Sequence, residues 1–146
     1  MKRHFSMIKD FEFQANDIKG NPTENFKKNP TNKLLFSGLV IHGCDLYSST
    51  KKFAVAKEWS MKINQEFTCQ IDDEEKLGLP VTPYMRDLDK PIVLAKAEMG
   101  FIKFIQKPIW SLLNGFFENQ LDFIMKNIED NIKNWELILE EEILKT

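Results

Sequence analysis

The sequence predicts an all-α protein, a bundle of several helices around one core. Apolar residues recur three or four positions apart over most of the chain, which is the spacing of one face of a helix. Glycine and proline are concentrated between those stretches, chiefly in the segments 19–31 and 77–90, which we expect to be loops. The chain has 146 residues, of which 42% are hydrophobic, so we expect one domain with an ordinary core.

The first part of the chain contains two predicted helices. Residues 4–18 carry apolar side chains at helical spacing, and a second helix is expected over 32–44, with Thr31 or Asn32 as its N-cap. This second helix is apolar on most faces, which is typical of a buried helix. The segment 45–52 breaks the helical pattern and is expected to connect the second helix to the third.

A long third helix is predicted over 53–76, with one apolar stripe and a solvated acidic end at 72–75. The stripe consists of Ala56, Trp59, Ile63, Phe67 and Ile71. A central helix is expected over 91–106, because apolar side chains are dense on two of its faces. A further helical stretch over 108–117 and a last helix over about 119–142 complete the predicted bundle.

Charge and composition exclude several classes of function. The net charge of −2 argues against a polybasic surface for nucleic acid. The sequence contains no run of about 18 apolar residues, so it predicts no membrane span. The charged N-terminal stretch does not resemble a signal peptide. Two cysteines cannot make a disulfide-dense scaffold, so the cytoplasm is the expected compartment. Within it, a large cytoskeletal or ciliary assembly is one expected setting. The only two histidines are His4 and His42, so a mechanism that needs several histidines cannot come from this chain alone.

Five strings in the sequence stand in an informative order and spacing. They are MKRHF at 1–5, IHGCDLYSSTKK at 41–52, EKLGLPVTP at 75–83, KAEMGFIKFIQKPIW at 96–110 and IEDNIKNWE at 128–136. Together they resemble the catalytic domain of class I 3′,5′-cyclic-nucleotide phosphodiesterases. The resemblance covers essentially the whole chain, residues 1–146, but only the C-terminal half of the family's domain. It implies that the N-terminal half, with its histidine metal motifs and the histidine that protonates the leaving oxygen, is absent here.

The resemblance places Asp45, in the string HGCDL, at the aspartate that binds the tightly held metal in the family. The family uses divalent metals, zinc and magnesium, to polarise the phosphate and activate a water. One aspartate cannot complete such a site, so we do not expect this chain alone to bind the metals. The alternative for Asp45 is a residue that caps a turn. We expect His42 and His4 to be packing residues.

The resemblance also assigns a wall of the nucleotide pocket. Ile63 and Phe101 match the apolar pair that sandwiches the purine ring, and Phe67 matches an aromatic residue beside it; flat bases favour such side chains. Ser48 matches a position that helps to discriminate nucleotides. The alternative for the three apolar residues is an ordinary place in the core. The segment 77–90 resembles the family's mobile loop over the pocket mouth, with Tyr84 and Met85 as lining residues. The alternative is that this segment is an exposed connecting loop.

Glu98 departs from the family pattern, which has at this position a glutamine that hydrogen-bonds the purine edge. An ionised glutamate only accepts hydrogen bonds. It would repel N1 of adenine, an acceptor, and could pair with the N1–H and N2–H donors of guanine. If the pocket is used, Glu98 therefore favours cyclic GMP over cyclic AMP. The alternative is a pocket that has lost its original use, since an unpaired buried carboxylate is costly or becomes protonated.

Three functions are compatible with these features. The first is a family member without catalysis of its own that serves as a structural or regulatory subunit of a larger assembly. The second is an active phosphodiesterase whose metal-binding half comes from another chain, and the third is a non-hydrolysing cyclic-GMP-binding module. The helices over 32–44 and 91–106 suggest an apolar face that other protein chains cover. We expect neither a nucleic-acid partner nor a membrane span.

Overall fold

The computed structural model describes residues 2–17 and 26–145 of the chain. Within these residues it contains helices and turns but no strand, so the predicted all-α class is confirmed. Six longer helices lie within the described residues: α1 (Lys2–Asp17), α2 (Pro30–Asp45), α3 (Phe53–Lys76), α4 (Pro91–Phe101), α5 (Lys107–Phe116) and α6 (Asp122–Ile143). The end of the first predicted helix at residue 18, and most of the loop 19–31, lie outside the described residues.

Helix α2 begins earlier than the sequence predicted. Its N-cap is Asn29, whose side-chain oxygen accepts hydrogen bonds from the backbone N–H groups of Thr31 at 2.9 Å and Asn32 at 3.3 Å. Thr31 and Asn32 are therefore not the cap, because Pro30 occupies the first helical position, where its missing N–H has no cost.

The expectation that α2 is buried on most faces is wrong for one side of the helix. Leu39 and Gly43 lie in the interior, but Leu34 is 75% exposed and Ile41 is 70% exposed. A methyl group at Gly43 would lie 3.1 Å from a methyl carbon of Leu113, so glycine allows α5 to approach closely here. The exposed residues agree with the expectation of an apolar face on this helix.

Helix α3 turns a different face inward from the one that the apolar stripe suggested. Ala56 and Ile71 of the stripe are buried, but Trp59 is 42% exposed. The residues buried between them are polar, Ser60 and Asn64. The hydrophobic pattern predicted the helix correctly but misplaced its inner face, since polar residues with local hydrogen bonds fill part of that face.

Helices α4 and α5 are joined without a break. A π-helical segment, Ile102–Gln106, connects them, and the backbone N–H of Lys107 bonds the carbonyl of Ile102 five residues earlier. Pro108 explains the change, because it has no N–H for the carbonyl four residues before it. The sequence predicted two separate helices here; the structure has one long helix with a wider turn, a feature that is frequent at functional sites.

The core lies where α4, its π-helical segment and α5 pack against α6. Its fully buried members include Leu39, Ala95, Ile109, Ile128 and Trp135. Helix α1 closes one end through a group of aromatic rings 4.9–6.2 Å apart, formed by Phe11, Phe26, Phe36 and Phe116. Along the described residues, no helix has both the length and the apolar character that a membrane span requires.

The corner before α6 is fixed by a buried amide. Asn114 donates to a carboxylate oxygen of Asp122 at 2.9 Å and accepts from the backbone N–H of Leu121 at 2.8 Å. Asn119, the predicted start of the last helix, has a φ of 65° and belongs to the turn. Asparagine tolerates this left-handed conformation better than most residues, and the helix starts three residues later than expected.

Candidate nucleotide site

Asp45 is the last residue of α2, and its side chain is exposed. A single carboxylate at this point does not make a complete metal site. Across the described residues, no group of three or more histidine, cysteine, aspartate or glutamate side chains could hold a metal ion. The donor set that this chain supplies near Asp45 therefore does not fit a two-metal centre by itself.

Both histidines of the chain are engaged with each other. Nδ1 of His4 lies 2.8 Å from Nε2 of His42, so one ring donates a proton and the other accepts it. His4 is only 5% exposed, and burial, followed by the nearby His42 and N-terminus, lowers its pKa. The pair joins α1 to α2 one turn before Asp45, in keeping with the expected packing function of both residues.

The segment that follows Asp45 is held by buried amides. Asn131 of α6 donates to the backbone carbonyls of Ser49 at 2.7 Å and Lys51 at 2.8 Å. Asn127, one turn earlier on α6, donates to the carbonyl of Thr50 at 2.7 Å. This segment, 46–52, includes the 3₁₀ turn Ser48–Thr50, and α6 therefore fixes its course.

The π-helical segment and α5 hold the other side of segment 46–52. Gln106 donates to the hydroxyl of Ser48 at 2.8 Å, and the indole N–H of Trp110 donates to the carbonyl of Leu46 at 3.3 Å. The sequence interpretation missed these amide and indole anchors. Their signal was present: Gln106 and Asn131 occupy inward positions among apolar residues, where an amide requires a partner.

The two residues assigned to the purine sandwich lie outside the hydrophobic core. Ile63 of α3 is 41% exposed, and Phe101, the last residue of α4, is 38% exposed. Phe67 is half-buried and, like the other two, is not part of the core cluster. All three residues therefore lie outside the core cluster, and their assignment to the purine pocket stays a prediction.

Glu98 connects the two helices that carry these apolar residues. One of its carboxylate oxygens accepts a hydrogen bond of 3.3 Å from the amide of Asn64, which also donates to the carbonyl of Ser60 at 2.7 Å. Burial raises the pKa of Glu98, and hydrogen bonding from Ser60 and Asn64 opposes that rise. Glu98 precedes Phe101 by three residues, so these two side chains lie on one face of α4, and Ile63 directly precedes Asn64 on α3.

The loop residues assigned to the pocket mouth are at the surface. Tyr84 is 71% exposed and Met85 is half-buried, in a 3₁₀ turn, Pro83–Met85, that packs on α3. An ion pair between Arg86 and Glu75 ties the loop to the end of that helix.

An open cleft of about 630 Å³ lies beside α6, and its lining includes none of the residues assigned to the nucleotide site. Lys52, Phe53, Phe123, Lys126, Asn127, Asp130, Lys133 and Asn134 line it.

Comparison with known proteins reveals the family of the chain. Residues 1–128 match the family model described as 3′5′-cyclic nucleotide phosphodiesterase. The chain is 30% identical over 151 residues to the probable 3′,5′-cyclic phosphodiesterase pde-3 of Caenorhabditis elegans, an alignment that covers 97% of this chain and 20% of that protein. It is 28% identical to the mouse (Mus musculus) high affinity cGMP-specific 3′,5′-cyclic phosphodiesterase 9A, over 93% of this chain and 24% of that protein.

Solved structures give the same result. The phosphodiesterase domain of the RhoPDE fusion protein from the choanoflagellate Salpingoeca rosetta superposes with a TM-score of 0.84 at 31% identity, over 97% of this chain and 43% of that chain. LmjPDEB1 in complex with IBMX superposes with a TM-score of 0.82 at 26% identity, over 97% of this chain and 40% of that chain. The chain thus spans less than half of these structures and no more than about a quarter of the curated relatives cited. It belongs to the 3′,5′-cyclic-nucleotide phosphodiesterase family and corresponds to part of the catalytic domain.

Proposed function

We propose that this chain supplies the nucleotide-binding part of a cyclic-nucleotide phosphodiesterase and does not hydrolyse the phosphodiester by itself. The observation that carries the proposal is the hydrogen bond between Asn64 of α3 and Glu98 of α4, with one accessible apolar residue close in sequence on each helix: Ile63 directly before Asn64, and Phe101 three residues after Glu98. A purine requires such a combination, because its faces are apolar and its edge carries hydrogen-bonding groups. Phe67 and Ser48 would extend the site, and Tyr84 and Met85 would border its mouth.

The expected ligand is cyclic GMP. An ionised Glu98 can accept from the N1–H and N2–H groups of guanine, whereas it faces a lone pair at N1 of adenine. Its other oxygen is held by Asn64, which limits the directions in which the carboxylate can turn. The name of the mouse relative, which specifies cGMP, is compatible with this preference.

The chain's own donors do not support metal-dependent hydrolysis. Asp45 would bind zinc or magnesium as one ligand among several, and such ions would polarise the phosphate and activate water. The two histidines of the sequence are hydrogen-bonded to each other rather than grouped with Asp45. The described residues bring no further group of ligands together, so in this proposal the remaining ligands come from another part of a phosphodiesterase domain.

The partner that fits this chain is a protein surface that covers its apolar face. The exposed residues of that face include Leu34 and Ile41 of α2. Relatives possess more than twice this length of phosphodiesterase domain, so a further helical portion of the domain has the right chemistry for the partner. In such a complex the chain would serve as a structural or regulatory subunit in the cytoplasm.

Thermal unfolding with each nucleotide tests the binding part of the proposal. Saturating cyclic GMP is expected to raise the melting temperature by about 3 °C or more, and cyclic AMP by less. The Phe101→Ala variant should lose this shift, whereas Phe104→Ala, an equal change at a 70% exposed position nearby, should keep it. Absence of any shift with either nucleotide would contradict the proposal.

An assay of hydrolysis tests the other part. The purified chain with added zinc and magnesium is expected to leave both cyclic nucleotides intact. Turnover that rises in proportion to the amount of chain and is lost in Asp45→Asn would show that the chain is catalytic by itself.

A second candidate is an active enzyme completed by another chain. The exposed apolar face next to the end of α2, where Asp45 lies, favours it. The tagged chain, purified from its native cells, would then carry hydrolytic activity. Asp45→Asn should remove that activity, and Asp89→Asn, a change at an exposed loop aspartate, should not. A complex without activity would leave the structural or regulatory function as the better description.

A further inference from the structure

We propose that the open cleft beside α6 is a docking site for a short acidic peptide of a partner protein, with an apolar side chain among its carboxylates. The lining of the cleft shares no residue with the site assigned to the cyclic nucleotide, so the inference is independent of the proposed function. It adds a second contact, through which a partner protein is held on this part of the chain.

Residues at the start of α3 and along one face of α6 line the cleft. The α6 residues recur at intervals of three or four positions, from Phe123 through Asn127 and Asp130 to Asn134, which is the spacing of one helical face. Asn127 donates to the backbone carbonyl of Thr50, and Asn134 donates to the backbone carbonyl of Asp130, both at 2.7 Å. These bonds fix the wall before a ligand arrives, which lowers the entropic cost of binding.

The cleft carries a local excess of positive charge. Three lysines of its lining, Lys52, Lys126 and Lys133, form no ion pair with any of the described residues. Two glutamates of α6 that lie outside the lining are, by contrast, paired with lysines of neighbouring elements. The lining contains one carboxylate, Asp130, so three lysines less one aspartate leave an excess of two positive charges. On a chain of net charge −2, this cleft is a site that attracts an acidic ligand.

Two aromatic rings give the same cleft an apolar part. Phe123 is 64% exposed, and Phe53 is held against the core by the ring of Trp135, with 5.4 Å between the ring centroids. A small inorganic anion would leave these rings in water. A ligand that satisfies the whole cleft therefore combines negative charge with an apolar side chain that covers Phe123.

The size of the cleft favours a peptide over a larger polyanion. From Phe123 to Asn134 the face of α6 is about 16 Å long at a helical rise of 1.5 Å per residue, and about five residues of extended chain span it. An anionic membrane is typically recognised by a cluster of about four to eight basic residues. The three lysines of the lining match a few carboxylates better than a membrane or a nucleic acid.

Fluorescence anisotropy with the full chain and the labelled peptide Glu-Asp-Phe-Asp-Glu tests the proposal. We expect a dissociation constant on the order of 100 μM or tighter. The double variant Lys126→Gln, Lys133→Gln should weaken binding by about tenfold or more, because two charge-assisted hydrogen bonds are lost. Phe123→Ala should weaken it by about fivefold, because the contact between two aromatic rings is lost.

The matched control is the double variant Lys9→Gln, Lys96→Gln, which removes the same charge from exposed positions of α1 and α4 and should keep the affinity. Equal weakening in the two double variants would overturn the assignment to this cleft. The proposal would also fail if the peptide did not bind a chain with native helix content by circular dichroism, or if phosphatidylserine vesicles bound in its place. Self-association that only Lys126→Gln, Lys133→Gln abolishes would assign the cleft to a second copy of the chain instead.

Discussion

At the scale of single residues, the two histidines show how a side chain can be important without belonging to a catalytic site. They lie 38 positions apart in the chain, yet their ring nitrogens are 2.8 Å apart. Only one of the two facing nitrogens can carry the shared proton, and Nε2 of His4 is buried with no hydrogen-bonding partner among the described residues. The pair is a contact between α1 and α2 that requires one of the two facing nitrogens to keep its lone pair.

We expect stability to fall in mildly acidic solution because of His4. Its pKa is lowered in the folded chain, first by burial and then by His42. As the pH drops below the unfolded value of about 6.5, the unfolded chain takes up a proton more readily than the folded chain. The free energy of unfolding should therefore decrease from about pH 6.5 downward until the folded pKa is reached.

Urea unfolding between about pH 7.5 and pH 5.5 measures this loss. The His4→Phe variant cannot take up the proton, so its stability should change less over the same interval. Equal pH dependence in both proteins would show that other groups are responsible.

Glu98 is the residue at which the sequence was most informative about function. The position was identified by resemblance, and the alternatives of a working and a disused pocket were both open. The structure adds that this carboxylate is bonded by Asn64, so it is not an unpaired buried charge. What the sequence could not supply was Asn64 as the partner, because the two residues are 34 positions apart and belong to different helices.

At the scale of elements, the sequence predicts which segments are helical. It predicts less accurately where each helix ends and which of its faces is buried. Hydrophobic spacing reports which segments are helical, and it did so for α2, α3, α4, α5 and α6. It does not report polar residues that are buried because a distant backbone needs them. Asn131 of α6 and Gln106 of the π-helical segment are of this kind.

The π-helical segment was missed for a related reason. Pro108 in the sequence indicated a boundary, and two helices were expected around it. The structure accommodates the proline by widening one turn instead of ending the helix. This keeps Ile102, Ile105 and Ile109 in the interior on both sides of the join, and burial of these side chains offsets the irregular turn.

Loss of the amide that fixes segment 46–52 should be costly. Asn131 is fully buried and donates to two carbonyls of that segment. The Asn131→Ala variant leaves both carbonyls without a donor, so we expect about 2–4 kcal/mol less stability. The matched control is Asn134→Ala, where the amide bonds only a carbonyl of its own helix, and about 1 kcal/mol or less is expected.

Chemical denaturation of both variants provides the measurement. Equal losses for the two changes would contradict the account of segment 46–52, because they would mean that the long-range bonds of Asn131 add nothing to stability.

At the scale of the whole molecule, the chain has one core and a second apolar surface that the core does not use. Leu34 and Ile41 lie seven residues apart on α2, on the side that faces away from Leu39. Such surfaces are typical of interfaces. The comparisons give this surface a meaning, since related phosphodiesterase domains are more than twice as long as this chain.

The isolated chain is expected to associate through this surface. Analytical ultracentrifugation of the purified chain should show self-association that increases with concentration. The double variant Leu34→Glu, Ile41→Glu places two charges on the surface and should shift the chain towards the monomer without loss of helix content. A chain that remains monomeric at high concentration, before any substitution, would contradict the expectation of an interface at this surface.

The central claim is that this part of a phosphodiesterase domain binds a cyclic nucleotide at Glu98, Ile63 and Phe101. Isothermal titration calorimetry of the chain with cyclic GMP at neutral pH tests it most directly. The account predicts one binding site per chain, weaker binding of cyclic AMP, and loss of binding in Phe101→Ala with retention in Phe104→Ala. No heat of binding with either nucleotide, from a folded chain, would contradict it.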